Sequence, residues 1–325
     1  MANLSSSYMG LTLKNPIILS SSGLTETAEK IKKAEAAGVG AVIMKSLFEE
    51  AINHEAGKAI AEANYAEAND YILNYTKENS VAEYLKELES AKKNATIPVF
   101  ASINAISKGD WQAFAMRTES AGADGIELNI HIIPTTKTIT GAEIEERYFQ
   151  IIDQVKSAVK IPVSAKVSSH FSNLLNFVHR LEASSVEGIV LFNRFYEPDI
   201  DIDTMDFKAF SVFSQSDDLR QSLRWTGILS SFKNKIDISL STGVHTGEDL
   251  IKSILAGASS AQICSTIYQN GYGEIAKMIV ELETWMEKKT FESVDDFRAL
   301  MSYKALKQPE MYERSQFMKY FSNHG

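Results

Sequence analysis

Residues 118–130 read TESAGADGIELNI, and HIIPT follows at 131–135. Gly122 sits where a glycine in the left-handed region would stop a helix. GIEL after it reads as a short buried strand ending in a polar residue, Asn129. A loop then opens with His131, two isoleucines and Pro134. The same succession of helix end, small-residue turn and strand recurs as AEAAGVGAVIMKS (34–46), LEASSVEGIVLFN (181–193) and ILAGASSAQICS (254–265). Between these copies falls a second pattern, a Lys/Asn/Thr-Ile-type approach, often with Pro, and then a strand. It is seen in KNPIILSSSG (14–23), ATIPVFASIN (95–104), KIPVSAKVS (160–168) and NKIDISLSTG (234–243).

The two patterns alternate strictly and give eight short apolar strands. The segments between them carry apolar residues at i, i+3 and i+4 with charges between, the mark of amphipathic helices. These run over 26–37, 80–93, 111–121, 141–159, 172–183, 217–233, 247–256 and 272–288. Apolar strands alternating with helices make a parallel sheet covered by helices. Eight such units predict an α/β protein built as a (β/α)8 TIM barrel, the alternative being an open doubly wound sheet. No GxGxxG follows the first strand, which argues against that alternative. The first dozen residues alternate enough for an N-terminal hairpin, and the tail from Ser293 to Phe321 reads as an amphipathic C-terminal helical extension. Two long connections, 47–79 and 194–216, have the length of lids or binding loops. No Pro/Gly/Ser-rich linker interrupts the 325 residues, so one domain over 1–325 is expected.

Composition narrows the function. Hydrophobic residues make up 44% and charged residues 23%, enough apolar material for a sizeable core. A net charge of −9 with no Lys/Arg cluster excludes nucleic acid and anionic membrane surfaces as natural partners. The one cysteine, Cys264, excludes an internal disulfide framework and fits a reducing, cytoplasmic setting. No apolar run reaches membrane-spanning length, the first residues lack the features of a signal peptide, and the histidines show no ligand spacing for a metal.

In a (β/α)8 barrel the chemistry gathers at the C-terminal ends of the strands. Here those ends are Ser20–Ser22, Lys45–Ser46, Ser102 and Asn104, Asn129, Lys166, Asn193, Ser241–Gly243 and Cys264–Ser265. Every strand ends polar, which predicts a functional ring. Lys45 and Lys166 both follow apolar runs and are expected to point inward, as an anion clamp, a charge partner for a developing anion, or a Schiff-base nucleophile. Thr242–Gly243 and Cys264–Ser265, after the last two strands, are placed where such barrels hold a phosphate. The thiol of Cys264 itself reads as buried and inert.

At these residues the chain resembles a family, the FMN-dependent dihydroorotate dehydrogenases, and the class 1 type in particular. The likeness runs from LTLKNPIILSSSG through AGVGAVIMKS, GADGIELN, IPVSAKVS and STGVHTGEDLIKSILAGASSAQICS. It implies FMN across the barrel mouth and hydride transfer at a CH–CH bond of a pyrimidine-like small molecule, a role in pyrimidine metabolism. It also implies a homodimer and a separate electron acceptor or partner chain. It assigns Ser21, Ser22, Lys45, Ser46, Asn129, Lys166, Asn193, Thr242, Gly243, Cys264 and Ser265 to the cofactor. Lys45, Asn129 and Asn193 also face the substrate. Where the family keeps a Cys or Ser base, this chain has Ile132, with His131 beside it as the one replacement. The family's Gly-Leu-Pro loop is replaced by ANYAEAND (63–70), with Asn64 and Asn69. A Gly-rich phosphate turn is replaced by SLRWTG (222–227), where Arg224 either contacts a phosphate or blocks its site. Other readings of the same residues are a flavin-binding barrel without dihydroorotate activity and a phosphate-binding, lysine-dependent aldolase or lyase.

Overall fold

The computed structural model describes residues 2–48, 52, 58, 69–104, 110–194, 198–209, 211–232 and 235–313. Eight parallel strands form the barrel: β3 (Ile17–Leu19), β4 (Ala41–Ile43), β6 (Val99–Asn104), β7 (Gly125–Asn129), β8 (Val163–Val167), β9 (Gly188–Leu191), β12 (Asp237–Ser241) and β13 (Ser260–Ile263). A hairpin, β1 (Ser6–Tyr8) and β2 (Leu11–Leu13), precedes them, and the two-residue β5 (Leu47–Phe48) lies beside β6. A second hairpin joins β10 (Pro198–Asp201) to β11 (Asp206–Ala209). The sheet runs β4-β3-β13-β12-β9-β8-β7-β6, and pairing of β4 with β6 closes it.

Strand alternation divides the apolar residues into two clusters. Residues such as Leu19, Val42, Ala101, Ile126, Leu128, Ala165 and Ile263 face outward and form one core with the surrounding helices. The inward residues Ile18, Ala41, Ile43 and Phe100 form a separate cluster with Tyr8, Met9 and Leu13 of the first hairpin, which plugs the bottom of the barrel. Gly188 makes room for that plug: a Cβ there would lie 2.9 Å from both Met9 and the Tyr8 hydroxyl. Higher up, the inward positions turn polar, with Ser20, Ser102, Glu127, Lys166 and Gln262 all buried. The fold therefore positions the site by simple period-2 geometry, a greasy floor below and polar groups above.

Helix boundaries follow local signals. Gly38, Gly122 and Gly257 take φ of 108°, 91° and 115°, each just after a helix, as the sequence predicts. Thr140 and Thr246 build capping boxes at the starts of the helices Gly141–Lys156 and Gly247–Ala256. The 194–216 connection, long enough for a lid or binding loop, contains the β10–β11 hairpin. One expectation is corrected. The tail is helical only in two short pieces, Val294–Asp296 and Glu310–Glu313, with turns between; residues 314–325 lie outside the described ones. Phe297 and Ser302 there are buried and dock the segment onto the barrel wall, so tertiary packing overrides its helical periodicity. Among the described residues no helix is long and apolar enough to cross a membrane.

Candidate active site

The polar strand ends converge on one rim, around a cavity of about 360 Å3. Ser20 and Ser21 line it from the end of β3, Lys166 from β8 and Asn193 from the end of β9. Ser241 comes from the end of β12, Thr242 and Gly243 from the turn after it, and Cys264 and Ser265 from just after β13. Of the residues expected at the cofactor, seven thus meet at one cavity: Ser21, Lys166, Asn193, Thr242, Gly243, Cys264 and Ser265. Among the described residues the lining holds no Asp or Glu, and it holds two cations, Lys166 and Arg194. In a chain of net charge −9 this is a local reversal of sign, suited to an anionic ligand.

Lys166 is buried, and its Nζ donates to Ser20 Oγ at 3.1 Å and Gln262 Oε1 at 2.9 Å. Asn129 lies off the lining, but its Oδ1 accepts from Asn193 Nδ2, which ties the two asparagines together. A hydroxyl chain crosses the other side of the rim, Ser21 to Ser46 at 3.0 Å and Ser46 to Ser102 at 2.6 Å. Ser22 is set back and caps the short helix Gly23–Thr25. Thr242 and Gly243 both have positive φ, 76° and 80°. For threonine that region is an outlier, and outliers of this kind cluster at ligand sites. Burial pushes the Cys264 thiol up from its ordinary range, with a Ser22 hydrogen bond and the Lys166 charge opposing. Expected to be buried, Cys264 is only half-buried and lines the cavity.

A strap formed by the two ends of the 194–216 connection, whose length suggested a lid or binding loop, closes the cavity on one side. Arg194 donates through Nη2 to Ser211 O at 3.0 Å and through Nη1 to Val212 O at 2.5 Å. Ser214 N–H donates to Ser265 Oγ at 3.0 Å, and Ser214 Oγ meets His245 Nε2 at 3.0 Å. His245 is buried; burial lowers its pKa, with Asp249 and Asp218 pulling the other way. Glu127 and Gln262, which sequence reasoning missed, lie inside the barrel. Each sits two residues before a strand-end residue, Asn129 or Cys264, and so on the same face. A glutamate and a glutamine inside otherwise apolar strands were the available signal.

Several expected residues lie elsewhere. Lys45 is not in the cavity. Its strand stops at Ile43, its N–H bonds Thr25 O at 3.3 Å, and its ammonium pairs with Glu26 at 2.6 Å on an exposed rim. It shares with Ser46 a second, more open cavity beside the helix Asn69–Asn94, lined also by Tyr84. His131 is exposed whereas Ile132 is half-buried against the core, so the neighbours face opposite ways. The residues SLRWTG lie within the helix Leu219–Leu229, and Arg224 is exposed and away from the cavity, neither contacting nor blocking it. The segment that does reach the cavity is 211–214. Asn64 lies outside the described residues; Asn69 begins a helix.

A closed (β/α)8 barrel with a cation-bearing cavity at the C-terminal ends of its strands has its candidate site where enzymes of this fold carry theirs. A family model described as dihydroorotate dehydrogenase matches residues 3–286. The chain belongs to the dihydroorotate dehydrogenase family and is an oxidoreductase of that type. It is 26% identical over 318 residues to the catalytic subunit of dihydroorotate dehydrogenase B (NAD(+)) of Thermoplasma volcanium, covering 91% of this chain and 97% of the relative. The corresponding subunit of Thermoplasma acidophilum is 28% identical over 302 residues, covering 91% and 98%. The chloroplastic dihydropyrimidine dehydrogenase (NADP(+)) of Arabidopsis thaliana is 23% identical over 331 residues, covering 91% and 76%.

Proposed function

We propose that the protein is an FMN-dependent oxidoreductase acting on a CH–CH bond of a small, reduced substrate. The observation that carries this reading is Lys166, a lysine held inside the barrel at the rim of a cavity that no acid lines among the described residues. FMN supplies a hydride acceptor and an anionic reduced form that a fixed cation stabilises. The residues present fit that group. Lys166 offers the cation, Thr242–Gly243 and Ser265 offer a polar cradle, and Arg194 adds a second positive charge. The linked Asn129–Asn193 pair offers one carbonyl and one amide to orient a pyrimidine-like substrate.

Dihydroorotate itself is the less favoured substrate, because Ile132 holds no proton acceptor and His131 faces away from it. A related reduced pyrimidine, whose oxidation would pass its proton to a base outside that loop, or an enoate taken in the reductive direction, is the favoured alternative. The sole cysteine leaves no ligand set for an iron–sulfur cluster within the chain. The relatives named as catalytic subunits support a separate electron-accepting chain here too. A homodimer is the proposed assembly, checked by light scattering. Against a lysine-dependent aldolase, Lys166 already has Ser20, Gln262 and Glu127 as partners; borohydride should trap no adduct. Purified protein is expected to take up FMN with the absorbance of a bound flavin. Protein that stays colourless after reconstitution would sink the proposal, and flavin bleached by dithionite but not by dihydroorotate would support a different substrate.

A further inference from the structure

Glu127 is fully buried, on β7, and does not line the cavity. Its Oε2 accepts from Gln262 Nε2 at 2.5 Å, and its Oε1, which has no hydrogen-bond partner among the described residues, lies 3.7 Å from Lys166 Nζ. Gln262 Oε1 in turn accepts from Lys166 Nζ at 2.9 Å and from Ser20 Oγ at 3.0 Å. The orientation of the Gln262 amide follows from its neighbours. An ammonium only donates and a carboxylate only accepts, so the oxygen must face Lys166 and the nitrogen Glu127. The amide dipole therefore links the two charges from strands β7, β8 and β13, across the barrel.

A buried carboxylate with an unpartnered oxygen is expensive to keep, and replacing such pairs with apolar groups is often neutral or stabilising. Gln262 and Lys166 reach the cavity and Glu127 does not. Its influence must pass through them. The Tyr8 hydroxyl of the bottom plug marks how far that influence extends: burial first, and then the Glu127 charge, holds it well above its ordinary range.

We infer that Glu127 is a positioning residue and counter-charge for Lys166. It holds the ammonium at the cavity rim through Gln262 and limits how much positive charge the cavity's electron-accepting group feels. This rests on the FMN reading above. A purely structural ion pair would alter stability alone, whereas a counter-charge must also move the potential of the bound cofactor.

The test is the midpoint potential of the FMN-loaded protein, measured by dye equilibration, together with urea unfolding of the apoprotein, for Glu127→Gln, Glu127→Asp, Lys166→Met and Glu127→Gln/Lys166→Met. Loss of the negative charge in Glu127→Gln should favour the reduced flavin at least tenfold, about +30 mV for a two-electron couple. Lys166→Met should shift it the opposite way, and the double variant should fall between them. Glu127→Asp, which keeps the charge, should stay nearest the wild type. In the apoprotein the double variant should be more stable than Lys166→Met alone, a non-additive cycle. Flavin that binds with a potential unmoved by Glu127→Gln overturns the inference, as does a shift of the same size in Glu127→Asp. Wild-type protein that takes up no FMN sinks the cofactor reading instead; the apoprotein cycle then decides the pairing, and additive losses refute it.

Discussion

Gly243→Ala probes the joint between the cavity and the barrel wall. Gly243 has φ of 80°, so a side chain there meets left-handed backbone, which costs ~1–2 kcal/mol. Its new Cβ would lie 2.1 Å from Leu219 N, 2.7 Å from Leu219 Cα and 2.8 Å from Asp218 C. These are backbone atoms at the start of the helix Leu219–Leu229, and they cannot rotate away as a side chain can. Forced overpacking adds ~1–3 kcal/mol, for a total of ~2–5 kcal/mol. At about 2 °C per kcal/mol for a chain of this size, Tm should fall by ~4–10 °C. The turn after β12 and the helix would part, so FMN uptake should weaken as well. Circular dichroism melts and flavin fluorescence titration read the two effects. Gly141→Ala is the control: among the described residues nothing lies within 4 Å of its Cβ, and it opens a helix, so it should match or exceed the wild type in stability. A Gly243→Ala protein with wild-type Tm and wild-type flavin affinity would refute the packing of this turn against the helix and its part in the cavity.

His245 is held neutral by burial, so its folded pKa lies below the unfolded value near 6.5. The unfolded chain then binds more protons as pH falls, and stability should be full above pH ~6.5 and decline below it; melts from pH 7.5 to 5.5 should show a smaller decline in His245→Gln. Arg194→Lys keeps the charge but loses the forked grip on the Ser211 and Val212 carbonyls. It should loosen 211–214, giving faster limited proteolysis there and FMN binding weaker by about tenfold, in line with ~1.5–3 kcal/mol for charged hydrogen bonds; unchanged proteolysis would show that the strap does not depend on Arg194. Ile132→Cys restores a titratable group at the loop position. If its absence limits the use of dihydroorotate, flavin reduction by that compound should rise ~100-fold or more in stopped flow; no gain would show that the base is not what is missing.

Much of this architecture was legible in the sequence. The alternation of eight short strands with amphipathic helices dictates parallel pairing, and Gly38, Gly122 and Gly257 mark helix ends because only glycine takes that backbone without strain. The ring of polar strand ends followed from counting along each strand, since residue spacing alone decides which face a side chain takes. Lys166, Thr242, Gly243 and Ser265 were found in this way. Lys45 was misjudged because the same counting assumes that the strand continues; β4 stops at Ile43 and Glu26 draws the ammonium outward. SLRWTG was misjudged because the resemblance suggested a phosphate turn there, although the helical periodicity over 217–233 already placed those residues inside a helix.

What the chain could not show by itself is which distant residues meet. Glu127, Lys166 and Gln262 come from strands far apart in sequence, and β13 lies across the barrel from β7. They touch because pairing of β4 with β6 closes the sheet and turns their common face inward. Arg194 reaches the cavity only because the 211–214 carbonyls are brought back over the rim. Period, propensity and capping are local and were readable; the charge balance at the cavity is set by closure, and only the tertiary structure decides it.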